Sequence, residues 1–186
     1  MTLEDIIAQK KALRRIMRER KKEITPADKQ AEADRVFATI ETMEAFQQAQ
    51  NILLYYSLPD ELPTHSILDR WHRIKHVFLP RVKGDDLDIV AYTGVLDDNN
   101  AFHIGEPVGP VVDFIPELII VPAVALDCAC HRMGRGRGYY DRLLNASKSY
   151  KIGVALECQL VTQVPCEPHD QILDAVVTAS QVSYSS

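Results

Sequence analysis

No run of apolar residues in this chain comes near the ~18 needed to cross a bilayer, and its first residues are too polar for the apolar stretch of a secretory signal. The chain is also poor in patterned cysteine. Cys128 and Cys130 are one residue apart, Cys158 and Cys166 stand alone, and no Cys-x-x-Cys zinc half-site exists. Reduced thiols in a cytoplasmic protein are the expectation. Glycine is scarce, eight in 186 residues, so three alternating within five positions, Gly134, Gly136 and Gly138, stand out. They match neither of two familiar phosphate fingerprints. No Gly-Lys-Ser/Thr follows, and the third glycine falls one position too early for the dinucleotide motif. Repeats, low-complexity tracts and linkers are also lacking. With 46% hydrophobic and 25% charged residues, the chain reads as one soluble globular domain over 1–186.

What charge there is lies unevenly. The net charge is −5, yet residues 10–22 hold eight Lys/Arg and a single acid, Glu19. A short basic segment on an acidic body suits a local anionic ligand better than a long nucleic acid, and argues against a membrane-surface role. Lys10 and Arg14 are one helical turn apart and can project from one face. Taken alone, they could equally form a solvated basic face.

The richest stretch is Arg132-Met133-Gly134-Arg135-Gly136-Arg137-Gly138-Tyr139-Tyr140-Asp141. Glycine allows positive φ and close backbone approach to a ligand. Successive amides in such a loop can form a nest for anionic oxygens, and arginine adds a planar fork that grips phosphate. The run then enters a predicted helix over 139–146, whose first amides also suit an anion. A phosphate cradle with a carboxylate at its edge is the reading, against the blander one of a solvated turn.

Periodicity places the other elements. Residues 3–23 form a predicted helix with a narrow apolar stripe of Ile6, Leu13, Ile16 and Met17. A second helix starts at Thr25 as N-cap and Pro26 in the first turn, with Ala33, Val36, Phe37, Ile40 and Met43 inward. Strands are predicted at 51–56, 77–80, 87–92, 118–121, 151–156 and 175–178, with a helix from Thr64 to Arg73 and mostly loop over 93–116. Strands alternating with helices argue for an α/β three-layer sandwich with a mostly parallel sheet and helices on both faces. Ligands gather at the carboxyl ends of such strands, and the glycine loop lies just beyond strand 118–121.

The ten residues from Arg132 to Asp141 resemble the Arg-Leu-Gly-x-Gly-x-Gly-Tyr-Tyr-Asp signature of the 5-formyltetrahydrofolate cyclo-ligase family, the methenyltetrahydrofolate synthetases. Further similar elements occur in order: Lys10-Lys11-Ala12-Leu13-Arg14, Asp60-Glu61-Leu62-Pro63-Thr64, Gly105-Glu106-Pro107, and His169-Asp170 with Leu173-Asp174. The resemblance implies an ATP- and Mg²⁺-dependent ligase acting on 5-formyltetrahydrofolate as a monomer. It carries ATP binding onto Lys10, Arg14, Arg132, Gly134, Arg135, Gly136, Arg137, Gly138, Tyr139 and Tyr140. Catalytic roles would fall to Arg135, Arg137 and Tyr139. Folate contact is carried onto Tyr56, Glu61, Arg135 and Tyr139, with an aromatic lid expected near Phe102. Asp141 and Asp170 would hold Mg²⁺, in keeping with its preference for one or two carboxylates plus phosphate oxygens.

Cys130 departs from the family pattern, standing where glycine is common, so the turn before the signature is expected to differ there. The rival reading is a non-catalytic regulatory module that binds nucleotide or folate.

Overall fold

The computed structural model describes residues 2–99 and 105–186. Helix α1 (Leu3–Lys22) starts at a reciprocal cap: the Asp5 amide donates to Thr2 Oγ1 and the Thr2 amide donates to Asp5 Oδ2. Its inward face differs from the predicted apolar stripe. Met17 is fully buried, but its companions are Lys10 and Lys21, while Ile16 turns out to solvent. One residue advances a helix by about 100°, so a face built on 10, 14, 17 and 21 leaves position 16 outside. Helix α2 (Pro26–Thr42) begins as predicted, with the Thr25 hydroxyl accepting from the Asp28 amide and Pro26 in its first turn.

The chain then runs through α3 (Glu44–Gln48), β1 (Asn51–Leu53), α4 (His65–His72), β2 (His76–Lys83) and β3 (Asp86–Ala91). After short strands β4 (Leu96–Asp97) and β5 (Glu106–Pro107) come β6 (Leu118–Pro122), β7 (Ala125–Leu126), β8 (Arg132–Met133) and α5 (Tyr139–Asn145). Strands β9 (Tyr150–Val154), β10 (Ala175–Val177) and β11 (Val182–Tyr184) complete the described elements, apart from one 3₁₀ turn.

Seven strands form one sheet in the order β11-β10-β9-β6-β1-β2-β3. The five central strands are parallel, and β3 and β11 pair antiparallel at the edges. Strand β6 explains its own centrality: Leu118, Ile119, Ile120 and Val121 are all fully buried. Leu118 and Ile120 join a core under α2–α4, where Phe37 and Phe46 pack on Trp71. Ile119 and Val121 face the opposite cluster with Leu144 of α5. Alternate side chains thus feed two cores, and helices cover both faces. The result is the expected three-layer α/β sandwich.

Strand order reverses between β1 and β6. The crossover from β1 runs through α4 on one face, and that from β6 through α5 on the other. Loops leaving the carboxyl ends of these two strands therefore diverge and open a crevice between them, the usual ligand position in open α/β sheets. Helix α1 lies over the β7–β8 hairpin, where Met17 packs with Val124, Ala125 and Met133. That packing brings its polar face to the crevice.

Two-residue strands β4, β5, β7 and β8, and the closing strand β11, were not among the predicted elements. Strand β1 is also shorter than the predicted 51–56: it ends at Leu53, the Leu54 amide makes one last bond to the Phe78 carbonyl at 2.9 Å, and Leu54 and Tyr55 stay buried.

Candidate active site

The β7–β8 hairpin sets up the glycine loop. Buried Asp127 ties its turn by accepting from the amides of Ala129 and His131 at 3.0 Å each and from Val164 at 2.9 Å. Within the turn, Cys130 has φ 65°, alone among the described non-glycine residues. The backbone here takes the left-handed conformation that glycine adopts freely, and Cys130 bears the strain. Its thiol is buried, which pushes its pKa up to about 11, with Asp127 adding to the rise.

Gly136 and Gly138, with φ of 96° and 71°, give the loop its two left-handed turns. Gly138 immediately precedes α5, so the second turn delivers Tyr139, Tyr140 and Asp141 onto the first turn of that helix. Arg14 of α1 donates its Nε to the Gly134 carbonyl at 3.0 Å and lies beside Gly136.

A cavity of about 250 Å³ opens at this point. Its lining includes Lys10, Arg14, Glu61, Arg132, the whole run Gly134–Asp141, and Asp170. These come from α1, from the loop after β1, from the loop after β6 and from the segment before β10. One described position expected at the site is not among the lining residues. Tyr56 stacks on His65 with ring centroids 4.0 Å apart, at the edge of the core under α2–α4. Strand β1 has ended at Leu53, and beyond it Leu54, Tyr55 and Tyr56 all pack toward that layer. Phe102 lies outside the described residues. Glu167 and His169 line the cavity although neither was placed in the expected site. Glu167 sits in a loop without local pattern, and only its nearness to Asp170 in the chain could have suggested it.

Charge in the cavity is organised by pairing. Lys10 Nζ donates to Glu167 Oε2 at 2.5 Å and to Asp170 Oδ2 at 2.6 Å. Burial alone would lower the lysine pKa, but the two carboxylates outweigh it and the value is raised. Ligand atoms of Glu167, His169 and Asp170 all lie within 4.8 Å of one another. Buried Arg132 donates Nε to the Pro122 carbonyl at 2.8 Å and NH1 to Asp141 Oδ1 at 3.4 Å, with its guanidinium over the Tyr140 ring. Burial lowers the Arg132 pKa, and Asp141 opposes the fall. Tyr140 is raised far above the ordinary phenol, by burial first and Glu61 second.

On the folate-assigned side, Glu61 Oε2 accepts from the Leu58 amide, while Oε1 faces Arg135 NH2 at 3.1 Å and Nε at 3.3 Å. Asp60 takes the same Arg135 NH2 at 2.5 Å and binds Lys21 Nζ at 2.6 Å. Burial would raise the Asp60 pKa, but Arg135 and Lys21 hold it down at about 2. Tyr139 OH donates to the Gly84 carbonyl at 3.4 Å, and Arg142 donates to the Asp85 carbonyl. The β2–β3 turn therefore braces α5.

These features define a class first: an α/β protein whose glycine-arginine loop and carboxylates converge at the point where strand order reverses. The particular family follows from comparison. Residues 6–179 match the 5-formyltetrahydrofolate cyclo-ligase family. The Escherichia coli K12 5-formyltetrahydrofolate cyclo-ligase is 30% identical over 179 residues, covering 90% of this chain and 98% of that one. The Haemophilus influenzae cyclo-ligase is 33% identical over 136 residues, covering 67% and 73%. The solution structure of Aquifex aeolicus 5,10-methenyltetrahydrofolate synthetase superposes with a TM-score of 0.84 at 28% identity, covering 94% of this chain and 92% of that one. The chain belongs to the 5-formyltetrahydrofolate cyclo-ligase family and is an enzyme, a ligase of folate metabolism. No described helix is long and apolar enough to cross a membrane.

Proposed function

We propose that this enzyme, as a single-domain monomer in the cytoplasm, converts 5-formyltetrahydrofolate to 5,10-methenyltetrahydrofolate with ATP and Mg²⁺. An amide oxygen is a poor leaving group until it is phosphorylated. The formyl oxygen would attack the γ-phosphorus, ADP would leave, and folate nitrogen ten would then close the ring and expel inorganic phosphate carrying that oxygen. Positioning and charge neutralisation supply most of such catalysis.

The supporting observation is convergence. Glu61, from the loop after β1, and the glycine loop, reached from β6, line one cavity with Lys10 and Arg14. Glu61 offers a carboxylate to the donor edge of a pterin. Arg14, Arg132 and Arg137 offer planar donors to phosphate, and Lys10 offers a point charge. Arg135 and Tyr139 line the same cavity. Hydrophobic walls from Pro122, Ala123 and Val124 exclude water on one side.

The residues present fit a hard cation. Glu167, Asp170 and Asp141 supply carboxylate oxygens, and the Lys10 cluster holds two acids against one ammonium, leaving it one negative charge in excess. Asp141 and Asp170 are assigned as the Mg²⁺ carboxylates, with Glu167 beside them. When bound, Mg²⁺ would neutralise phosphate charge.

The testing experiment follows near-ultraviolet absorbance with 5-formyltetrahydrofolate, ATP and Mg²⁺, because the methenyl product carries a conjugated amidinium that the substrate lacks. A rise requiring both ATP and metal is expected. Arg137→Ala and Asp141→Ala should each lose turnover by at least ~100-fold while far-ultraviolet circular dichroism is unchanged. Normal turnover in both variants would overturn the site assignment. A folded wild-type protein without any rise would leave a nucleotide- or folate-binding module.

A further inference from the structure

Asp60 does not line the cavity, yet it makes the shorter contact to the guanidinium that faces Glu61. Arg135 NH2 is 2.5 Å from Asp60 Oδ1 and 3.1 Å from Glu61 Oε1, and its Nε is 3.3 Å from the same Glu61 oxygen. A second cation, the buried Lys21 of α1, holds Asp60 from behind at 2.6 Å through the other carboxylate oxygen. Asp60 is therefore anchored at one end and pulling on Arg135 with the other.

We propose that Asp60 is a positioning residue that acts through Arg135 to keep Glu61 available to the folate. A guanidinium shared between two acids cannot commit its full fork to either. Without Asp60, the fork can close bidentately on Glu61, and a carboxylate already saturated by arginine is a weaker acceptor for the donor edge of a pterin. With Asp60 taking the closer contact, Glu61 is held in place by the Leu58 amide and only loosely engaged by Arg135. The ligand can displace that looser contact at little electrostatic cost, because Arg135 retains Asp60 as its partner. The inference rests on the folate assignment of Glu61 in the proposed function.

The experiment compares Asp60→Asn, Lys21→Met and the double variant with wild type. Steady-state KM for 5-formyltetrahydrofolate and for ATP is measured separately in each. Wild-type turnover comes first, because its absence would refute the proposed function rather than the role of Asp60. Asp60→Asn should raise the folate KM roughly fivefold or more while the ATP KM stays within about twofold. Lys21→Met, which removes the anchor but leaves the Asp60–Arg135 pair, should leave the folate KM within about twofold of wild type. Asp60→Glu, which keeps the charge, should recover most of the loss. The double variant guards against misfolding, since the lysine that would lose its partner is also gone; it should repeat the folate effect of Asp60→Asn. An unchanged folate KM in Asp60→Asn or the double variant would overturn the proposal. So would an equal rise in Lys21→Met, which would make Asp60 a structural tie between α1 and the loop.

Discussion

Two cations at the cavity are each met by two carboxylates, and the two clusters differ in burial and in balance. Lys10 lies between Glu167 and Asp170, with side-chain exposures of 9%, 16% and 10%. Arg135 lies between Asp60 and Glu61, where Arg135 and Asp60 are 43% and 46% exposed. Glu61 and Lys21 are largely buried, so that only the Arg135–Asp60 side of this cluster is open to water. The first cluster carries a surplus negative charge. In the second, Lys21 brings the sum of two cations and two acids to zero. A buried ion cluster cannot lose a member cheaply, because the remaining charge stays desolvated. A half-exposed one can rearrange, since water takes up whatever the protein releases. The surplus marks where a further cation would be welcome, and the exposed, neutral cluster marks where a ligand can compete with existing contacts.

The largest effect expected from this contrast is on stability. Lys10→Met strands two largely buried carboxylates and should cost about 3 kcal/mol, lowering the Tm by about 9 °C for a chain of this size. Asp60→Asn loosens a half-exposed contact to Arg135 but also leaves the buried Lys21 ammonium facing an amide, and should cost about 2 kcal/mol, or about 6 °C. Calorimetric scans of both variants at neutral pH would decide. Equal losses would erase the distinction between the clusters.

pH separates the same two clusters from opposite ends of the scale. Asp60 has its folded pKa depressed to about 2 from an ordinary 3.8. Its contribution is therefore complete above pH 3.8 and is lost as pH falls toward 2. The Lys10 pKa is raised above 10.5, so its contribution is complete below that pH and is lost as pH climbs through the raised folded value. Denaturation midpoints should accordingly fall less steeply below pH 4 in Asp60→Asn than in wild type. Lys10→Met should flatten the alkaline limb instead. If Asp60→Asn leaves the acid limb as steep as in wild type, its pairing with Arg135 and Lys21 does not persist in solution.

Much of this arrangement was legible in the chain, because local chemistry wrote it there. Thr25 and Pro26 announced α2, the run at Leu118 to Val121 announced the central strand, and the alternating glycines announced the loop. The convergence of Lys10, Glu61, Arg132 and Asp170 was reachable through family resemblance, since more than a hundred residues of chain separate its members. The ion pairs were not legible. Nothing in the surroundings of Lys10 says that Glu167 will claim its ammonium, nor does Asp60 declare that it shares Arg135 with its neighbour. Pairing of that kind depends on which sides of α1 and the β1 loop meet after the sheet has formed. The two-residue strands of the β7–β8 hairpin are too short to carry a period, and β11 is recognisable only by its partner β10. Tyr56 is the instructive case, expected at the site but not among the lining residues. Family resemblance carried it to the folate side, whereas the chain beyond β1 packs it on His65 against the core under α2–α4.

The smallest effect concerns the turn that both clusters depend on indirectly, because it launches the glycine loop between them. Cys130 sits at φ 65° with its thiol buried. For a residue with a Cβ, the left-handed conformation costs about 1–2 kcal/mol, whereas burying one further carbon returns only about 0.8 kcal/mol. Cys130→Ala keeps the strain and loses the sulfur, while Cys130→Gly loses both sulfur and Cβ but relaxes the backbone. Glycine should therefore be the more stable of the two variants by about 0.5 kcal/mol, or ~1–2 °C in Tm by scanning calorimetry. Because the φ of the turn is the same in both, loop shape and the KM values for ATP and folate should match between them. A more stable alanine variant would mean that burial of the side chain, held by Asp127 and the packed hairpin, outweighs backbone strain here. The turn would then be fixed by its core contacts, and the glycine found at this place in the family would be one solution to the geometry rather than a requirement of it.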